Sequence, residues 1–470
     1  MSNLPQNPYF KAFSRLKAYQ YEVGNSSYSA RLAKLNALKR ALEYSYKDRL
    51  REALYNDFKK PVLETDLTEL YLVIKEIKHT KSHLRAWMKK QKVETPITLL
   101  GTSSWIKLEP KGVCLIISPW NYPINLTFAP LVSAIAAGNT VIIKPSELTP
   151  NTSAVMAQIV SDIFSDKEIV LIEGEVEVAQ DLLKLPFNHI FFTGSPQVGK
   201  IVMKAAAEHL TSVTLELGGK SPTIIDETAD LENAVRKIVW GKHINNGQTC
   251  IAPDYILIHK SVKEEFIKRY KASVLHYYSK EASTSDSYCR IVNNRHFNRL
   301  VKHIEDAKDK SAVIELGGRY NSDDNFIEPT LISNLPEDAS LLQDEIFGPI
   351  LPIKTYRTID EVISYVNSKE KPLALYIYSK NKKAIRSIID NTRAGTTCIN
   401  TNALQYSNHN LPFGGSNNSG IGKSHGIYGF KEFSNMRAVL KRHTKGPVDW
   451  LTPPYSGVKQ KLMDFTIKWL

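Results

Sequence analysis

Four cysteines in 470 residues are too few and too scattered to build a disulfide framework. Cys114, Cys250, Cys289 and Cys398 form no C-x-x-C pair, which argues against a zinc site of that kind, and free thiols fit a reducing compartment. Long apolar runs are also missing: no stretch reaches the ~18 residues that a spanning helix needs. Residues 1–25 lack the apolar segment and cleavage site of a secretory leader, so a cytoplasmic location is expected. The formal net charge is +13, but its Lys and Arg residues are dispersed, with only short clusters at 290–299 and 380–386. No basic run is interleaved with aromatics, so a nucleic-acid partner is not expected. The excess charge reads mainly as solvated surface, with some attraction for anionic substrates or membrane surfaces.

What is present is an ordinary globular composition, 42% hydrophobic and 23% charged, on a chain long enough for two or three domains. Residues 28–57 read as an amphipathic helix with Leu32, Leu35, Leu38, Leu42 and Leu50 near one face, broken at Lys59-Lys60-Pro61. A second long helix is predicted at 66–90. Residues 92–110 change to a hairpin pattern that belongs to no helical layer. From Gly112 apolar strands alternate with helices: strands at 113–118, 140–144, 169–173 and 189–193, helices at 124–137, 152–164, 176–183 and 196–207. That alternation predicts a parallel sheet covered on both faces. It restarts after Glu216 and continues to 373–378, with a boundary near Gly218-Gly219. Residues 403–430, rich in Gly, Asn and Ser, read as loop and linker, and 433–440 as a further strand. No internal repeat is visible.

Chemistry concentrates at the ends of these strands. Cys250 lies in Asn246-Gly247-Gln248-Thr249-Cys250, a thiol on a turn-forming stretch. Glu216 ends a strand just before Gly218-Gly219. Such a pair proposes covalent chemistry on a carbonyl with water as second reactant. Glu216 also stands near the position of a ribose-binding acid after the Gly194-to-Gly199 turn, a competing assignment. Lys144 and Glu147, at the end of an apolar strand, are better placed for ribose hydroxyls, and equally form a surface ion pair. In Phe192-Thr193-Gly194-Ser195-Pro196-Gln197-Val198-Gly199, Ser195 is a helix cap and Gly199 permits close helix–sheet packing. The exposed N–H groups of that helix suit a phosphate. Asn121, in Pro119-Trp120-Asn121-Tyr122-Pro123, either presents an amide to a developing oxyanion or caps the next helix. Asp344-Glu345-Ile346-Phe347 sets an acid and an aromatic in one turn. Cys114 and Cys398 read as core thiols, and Cys289 as a residue of a polar loop.

The segments PWNYP, KPSE, FTGSPQVGK, LELGGKSP, NNGQTCIAPDY, EIFGPILP and LPFGGSNNSGIG together resemble the aldehyde dehydrogenase superfamily across nearly the whole chain, and within it the class 3 branch. The resemblance implies an α/β fold with a Rossmann-like cofactor domain (1–91 and 111–217), an α/β catalytic domain (218–413), a bridging β-region (92–110 and 431–445) and a tail (446–470). It implies NAD, with NADP also possible, and oxidation of a medium or long aliphatic or aromatic aldehyde to the acid. Cys250 would be the nucleophile, Asn121 with the Cys250 N–H the oxyanion donors, and Glu216 the base that activates water. Trp120, Lys144, Glu147, Gly194, Ser195, Gly199, Glu345 and Phe347 would contact the cofactor. Tyr122 and Trp240 would line the aldehyde path, although Trp240 equally suits a core position. No metal is implied. Arg393 and Lys423 are the residues to check as anchors for a charged substrate. Two other activities are distinct: transfer of the acyl group to coenzyme A, which retention of Glu216 disfavours, and a catalytically idle binding role, which retention of both Cys250 and Glu216 disfavours. The resemblance further implies a homodimer joined through 92–110 and 433–440. The tail, with Val458, Leu462, Phe465 and Trp469 at near-helical spacing, would cover a partner's substrate entrance, touch a membrane surface or dock on its own subunit.

Overall fold

Two parallel sheets carry the molecule in the computed structural model, which describes residues 6–469. The first has six strands in the order Gly420–Ile421, Ser212–Glu216, His189–Thr193, Val113–Ile117, Thr140–Lys144 and Ile169–Leu171. All are parallel except the short edge strand Gly420–Ile421. The central strands Val113–Ile117 and Thr140–Lys144 are buried throughout, as unbroken Val/Ile/Leu runs require when helices cover both faces. The chain winds outward from Val113–Ile117 to Ile169–Leu171, then crosses back to His189–Thr193. Winding direction therefore reverses between Val113–Ile117 and His189–Thr193, and such a reversal opens a crevice at the carboxyl ends of the strands. The helix Pro123–Ala137 is apolar on every side because it lies between this sheet and the helix Tyr71–Trp87.

The second sheet has seven strands, in the order Val313–Leu316, Thr330–Ser333, Ile350–Tyr356, Tyr255–His259, Pro222–Ile225, Ala374–Tyr378 and Thr396–Ile399. Only Val313–Leu316 runs antiparallel. The predicted hairpin at 92–110 is the pair Gln91–Val93 and Thr102–Pro110, and Ser434–Arg442 adds to it antiparallel as a third strand.

Several expectations need correction. The helix expected at 28–57 is broken: Tyr28–Arg40 widens through Ala41–Ser45, where the Tyr46 N–H reaches Ala41 O at 2.9 Å, and restarts as Lys47–Phe58. Tyr46 leaves helical geometry (φ −122°, ψ 0°), and its hydroxyl meets Asp162. The next helix begins earlier, at Val62 behind Pro61, and its last segment ends at Trp87. Residues 403–430 are no linker. They hold the edge strand Gly420–Ile421 and the helix Gly426–Glu432, packed onto Pro123–Ala137. Cys289 is buried rather than in an open polar loop, and the Cys398 thiol donates to Gln405 Oε1 at 2.9 Å. The tail forms the helix Gly457–Trp469, which buries none of its residues on its own subunit. No helix among the described residues is long and apolar enough to cross a membrane.

One buried ion pair joins the first helical layer to the segment before Pro123–Ala137. Lys60 is fully buried, donates to Glu69 Oε1 at 2.8 Å and lies 4.1 Å from the centre of the Tyr122 ring. Glu69 Oε2 in turn accepts the Asn125 N–H at 2.8 Å. Breaking such a pair strands a desolvated charge. Lys60→Met is expected to lower stability by about 3–5 kcal/mol in denaturant unfolding, with part of the loss recovered in Lys60→Met/Glu69→Leu. A loss below about 1 kcal/mol, the scale of an exposed pair, would show that the ion pair is not structural.

Candidate active site

Cys250 reaches the end of the first sheet through three successive left-handed residues. After the helix Leu231–His243, Asn245, Asn246 and Gly247 have φ of 53°, 55° and 71°. Asparagine and glycine tolerate this region best, which explains Asn-Asn-Gly at this point. A side chain at Gly247 would bring a Cβ within 2.3 Å of Gly348 O. Buried hydrogen bonds hold the run in place. The Asn245 N–H donates to Glu64 Oε2, Asn245 Nδ2 to the carbonyls of Asn121 and Gln248, and Asn246 Nδ2 to Cys289 O. Gln248 Nε2 donates to Arg290 O, and its Oε1 accepts the Val292 N–H.

Asn121 is buried on the loop that follows Val113–Ile117, and its Nδ2 donates to Gln248 O at 3.0 Å. One amide hydrogen thus fixes its orientation and a second is left for another acceptor. It does not cap the following helix, whose N-cap is Tyr122. The Tyr122 hydroxyl lies 2.6 Å from Thr249 Oγ1, so Asn121 and Tyr122 bear on the two residues just before Cys250, on the Gln248 carbonyl and the Thr249 side chain.

Cys250 and Glu216 line one cavity of about 40 Å³, room for two or three waters. Its other walls are mainly apolar, including Leu126, Pro130, Phe191, Leu373 and Phe413. Glu216 is buried at the end of Ser212–Glu216; its Oε1 accepts from Ser424 Oγ at 2.9 Å, and its Oε2 has no partner. Burial pushes this carboxyl up to about 8, against the Ser424 hydrogen bond and the Lys423 charge, while Glu432 adds to the rise. Burial, with the negative charges of Glu345 and Glu216, pushes the Cys250 thiol up to about 12, opposed by the N–H groups of Cys250 and Ile251. The thiol is therefore held protonated in the cofactor-free enzyme, and the carboxyl has a pKa close to neutral, where a side chain can both give and take a proton.

The cofactor candidates cluster at the crevice. Lys144 ends its strand with Nζ on Pro145 O (2.8 Å) and 3.2 Å from Glu147 Oε2. Ser195 caps the helix Pro196–Ala207, accepting the Val198 N–H, and Gly194 begins that turn. A Cβ at Gly199 would fall 2.8 Å from Leu217 Cδ2, so the glycine permits the close approach of helix and sheet. Glu345 presses its carboxylate against Gly218, where a Cβ would lie 2.3 Å from Oε2. Burial lifts that carboxyl to about 7, with the Gly219 N–H opposing. Phe347, at φ 49°, stands edge-on to Trp120 at 5.5 Å, and Arg299 pins the loop through the carbonyls of Glu345 and Ile346. Trp240 lies elsewhere, half-buried in a surface cleft with Arg236, Lys237 and Tyr277, and is not among the residues lining the Cys250 cavity.

Residues 6–439 match the aldehyde dehydrogenase family. The chain belongs to that family. It is 43% identical over 441 residues to the 4,4'-diaponeurosporen-aldehyde dehydrogenase of Staphylococcus aureus, covering 94% of this chain and 95% of the relative. It is 38% identical to mouse aldehyde dehydrogenase family 3 member B3, covering 98% and 95%. A solved structure described as the substrate-bound state of Staphylococcus aureus AldH superposes with a TM-score of 0.93 at 42% identity, covering 97% of this chain and 99% of that one. The activity is NAD(P)-dependent aldehyde oxidation. The dinucleotide fits the donor set: a Lys–Glu pair and a capped helix N-terminus flank the crevice, and glycines admit the Glu345 carboxylate.

Sequence reasoning missed one wall of the cavity. Tyr406, Phe413, Ser424 and His425 all come from the stretch read as linker, and Glu76 from the N-terminal helical layer. The LPFGGSNNSGIG match marked the neighbourhood, but nothing in it signals that Ser424 bonds Glu216. Arg393 and Lys423 are engaged by carbonyls, Arg393 with Asp390 and Thr392, Lys423 with Gly414 and Gly415.

The raised thiol value has a direct consequence. In the cofactor-free enzyme, iodoacetamide should label Cys250 slowly at pH 7, with a rate that climbs about tenfold per pH unit up to pH 9 because thiolate is scarce below the pKa. A plateau below pH 8, followed by mass spectrometry, would show the thiol to be ionised already.

Proposed function

We propose that Cys250 is the nucleophile that carries the acyl group, that Glu216 is the base for hydrolysis, and that the aldehyde is a medium or long aliphatic or an aromatic one. The observation that carries this reading is the single apolar-walled cavity lined by both Cys250 and Glu216. The Cys250 thiol loses its proton to solvent, and the thiolate attacks the carbonyl to form a thiohemiacetal. Its oxyanion is met by the free amide hydrogen of Asn121 and the Cys250 N–H, each such donor being worth ~10²–10³ in rate. Bound NAD or NADP supplies the hydride acceptor, leaving a thioester on Cys250. Glu216 then takes a proton from water as the water attacks the thioester, and the acid leaves with the thiol restored. Ser424 steadies the carboxylate for that step through its hydrogen bond to Oε1.

Lys144 and Glu147 would hold the adenosine ribose, the Gly194–Ser195 turn the phosphates, and Glu345 the second ribose, with Trp120 and Phe347 beside it. The 1–91 and 111–217 segments form the cofactor unit in this reading and 218–413 the catalytic one. Tyr122 supports the site through Thr249, while Trp240 would act only at an outer approach. Retention of the Glu216 base favours water over coenzyme A as acyl acceptor. A homodimer is part of the same proposal: Ser434–Arg442 is an edge strand with Met436 and Leu440 exposed, a ready surface for pairing across a two-fold.

Cys250→Ala should abolish oxidation while NAD still binds; substantial residual turnover would sink the mechanism. In Glu216→Gln, acyl-enzyme should accumulate. In the wild type, hydrolysis-limited turnover should fall as pH drops through about 8, because protonated Glu216 cannot accept the water proton. A flat profile from pH 6 to 9 would assign the base elsewhere. Across straight-chain aldehydes, kcat/KM should rise by up to about fourfold per methylene, the factor that ~0.8 kcal/mol per buried CH₂ supplies. A series that does not rise with chain length would refute the aliphatic class and leave the aromatic one. NAD should outperform NADP because Glu147 repels a 2′-phosphate, and Glu147→Gln should narrow that gap.

A further inference from the structure

We propose that Glu76, His409 and His425 form a binding site for a divalent cation of the zinc class, set in the wall of the catalytic cavity. The three residues come from distant parts of the chain. Glu76 lies on the helix Tyr71–Trp87, His409 follows the turn Leu404–Ser407, and His425 immediately precedes the helix Gly426–Glu432. They are 2%, 5% and 6% exposed. One donor atom from each lies within 4.8 Å of the other two.

His409 Nε2 and His425 Nδ1 have no hydrogen-bond partner. Glu76 Oε2 and His409 Nδ1 face each other at 2.5 Å, a direct contact whose place a cation would take. Buried polar atoms without partners cost about 1–3 kcal/mol each, so two of them beside that contact call for a common ligand. Two imidazoles and a carboxylate are a zinc donor set, with a fourth position left for water. Glu76 Oε1 is meanwhile fixed by the Gly426 N–H at 2.9 Å, which orients Oε2.

The His79 ring lies 5.5 Å from that of His409, and Lys75 spends its Nζ on Ser407 O. Glu76 and His425 face the cavity shared with Cys250, which supplies an entry path. A bound cation would clamp the segment carrying Ser424 to the N-terminal helical layer.

The test uses full-length, chelator-treated Cys250→Ala protein, so that the catalytic thiol cannot compete. Titration with Zn²⁺ alone should give one equivalent bound and a higher unfolding temperature. Glu76→Gln, His409→Gln and His425→Gln in that background should each weaken binding by roughly tenfold or more, with retained NAD binding showing that they fold. Co²⁺ added to the Cys250→Ala protein should give the visible bands of a tetrahedral nitrogen–oxygen site, a readout that needs no ligand variant. No stoichiometric Zn²⁺ binding, no such Co²⁺ bands, or binding unchanged in the three variants would each overturn the site.

Discussion

The structure depends most on the left-handed run Asn245–Gly247. Three consecutive residues in a region that L-amino acids avoid persist only where their surroundings over-determine them. Here the surroundings are buried side-chain amides and carboxylates drawn from every layer: Glu64, Asn121, Asn245, Asn246 and Gln248. The run turns the chain sharply at the end of Leu231–His243 and sets Cys250 against the end of the other sheet. The same amides orient Asn121, so the proposed nucleophile and its proposed oxyanion donor are fixed by one network rather than by separate contacts. Lys60 and Glu69 extend that network to Tyr122 and Asn125.

A second constraint is electrostatic. Glu216, Glu345 and Cys250 all sit where burial penalises charge, and the charges of Glu345 and Glu216 both oppose ionisation of Cys250. Without bound cofactor the thiol holds its proton. An unionised thiol is slow to oxidise or alkylate. The same desolvation makes Glu216 a stronger base than a surface carboxylate. In the proposed mechanism burial thus slows the first step while preparing the last.

Much of this was legible in the sequence. The parallel alternation after Gly112 was visible because fully buried strands read as continuous aliphatic runs, and 140–144, 176–183, 189–193 and 196–207 match the observed elements residue for residue. Cys250 and Glu216 were legible because the chemistry is unusual: a thiol after Asn-Asn-Gly and an acid before Gly-Gly have few structural reasons to exist. The break at Tyr46 was not, because the apolar period runs on past it, and the Tyr46–Asp162 contact found there is tertiary. The role of 403–430 was hidden for the opposite reason. Gly, Asn and Ser lack periodicity whether they make a linker or a tightly threaded wall, and only tertiary packing distinguishes the two. Gly415 shows which applies, since a Cβ there would lie 2.0 Å from Ser419 O.

That threaded segment explains how two sheets make one site. The strand Gly420–Ile421 adds to the edge of the first sheet beside Ser212–Glu216, so Glu216 gains a neighbour from the far end of the chain. Ser424 reaches Glu216 from there, while Phe413 and Tyr406 extend the same stretch toward the second sheet and Cys250. Glu76 secures it from the N-terminal layer through the Gly426 N–H. Glu216 therefore ends a strand of the first sheet while Cys250 lies on the turn before Tyr255–His259 of the second, and the strap packs against both. Any change in how that strap seats moves the carboxylate relative to the sulfur, and positioning errors of about 1 Å cost ~10² in rate. The strap's dense glycine and asparagine content is what allows such close threading, and it is also what made the strap look like a linker.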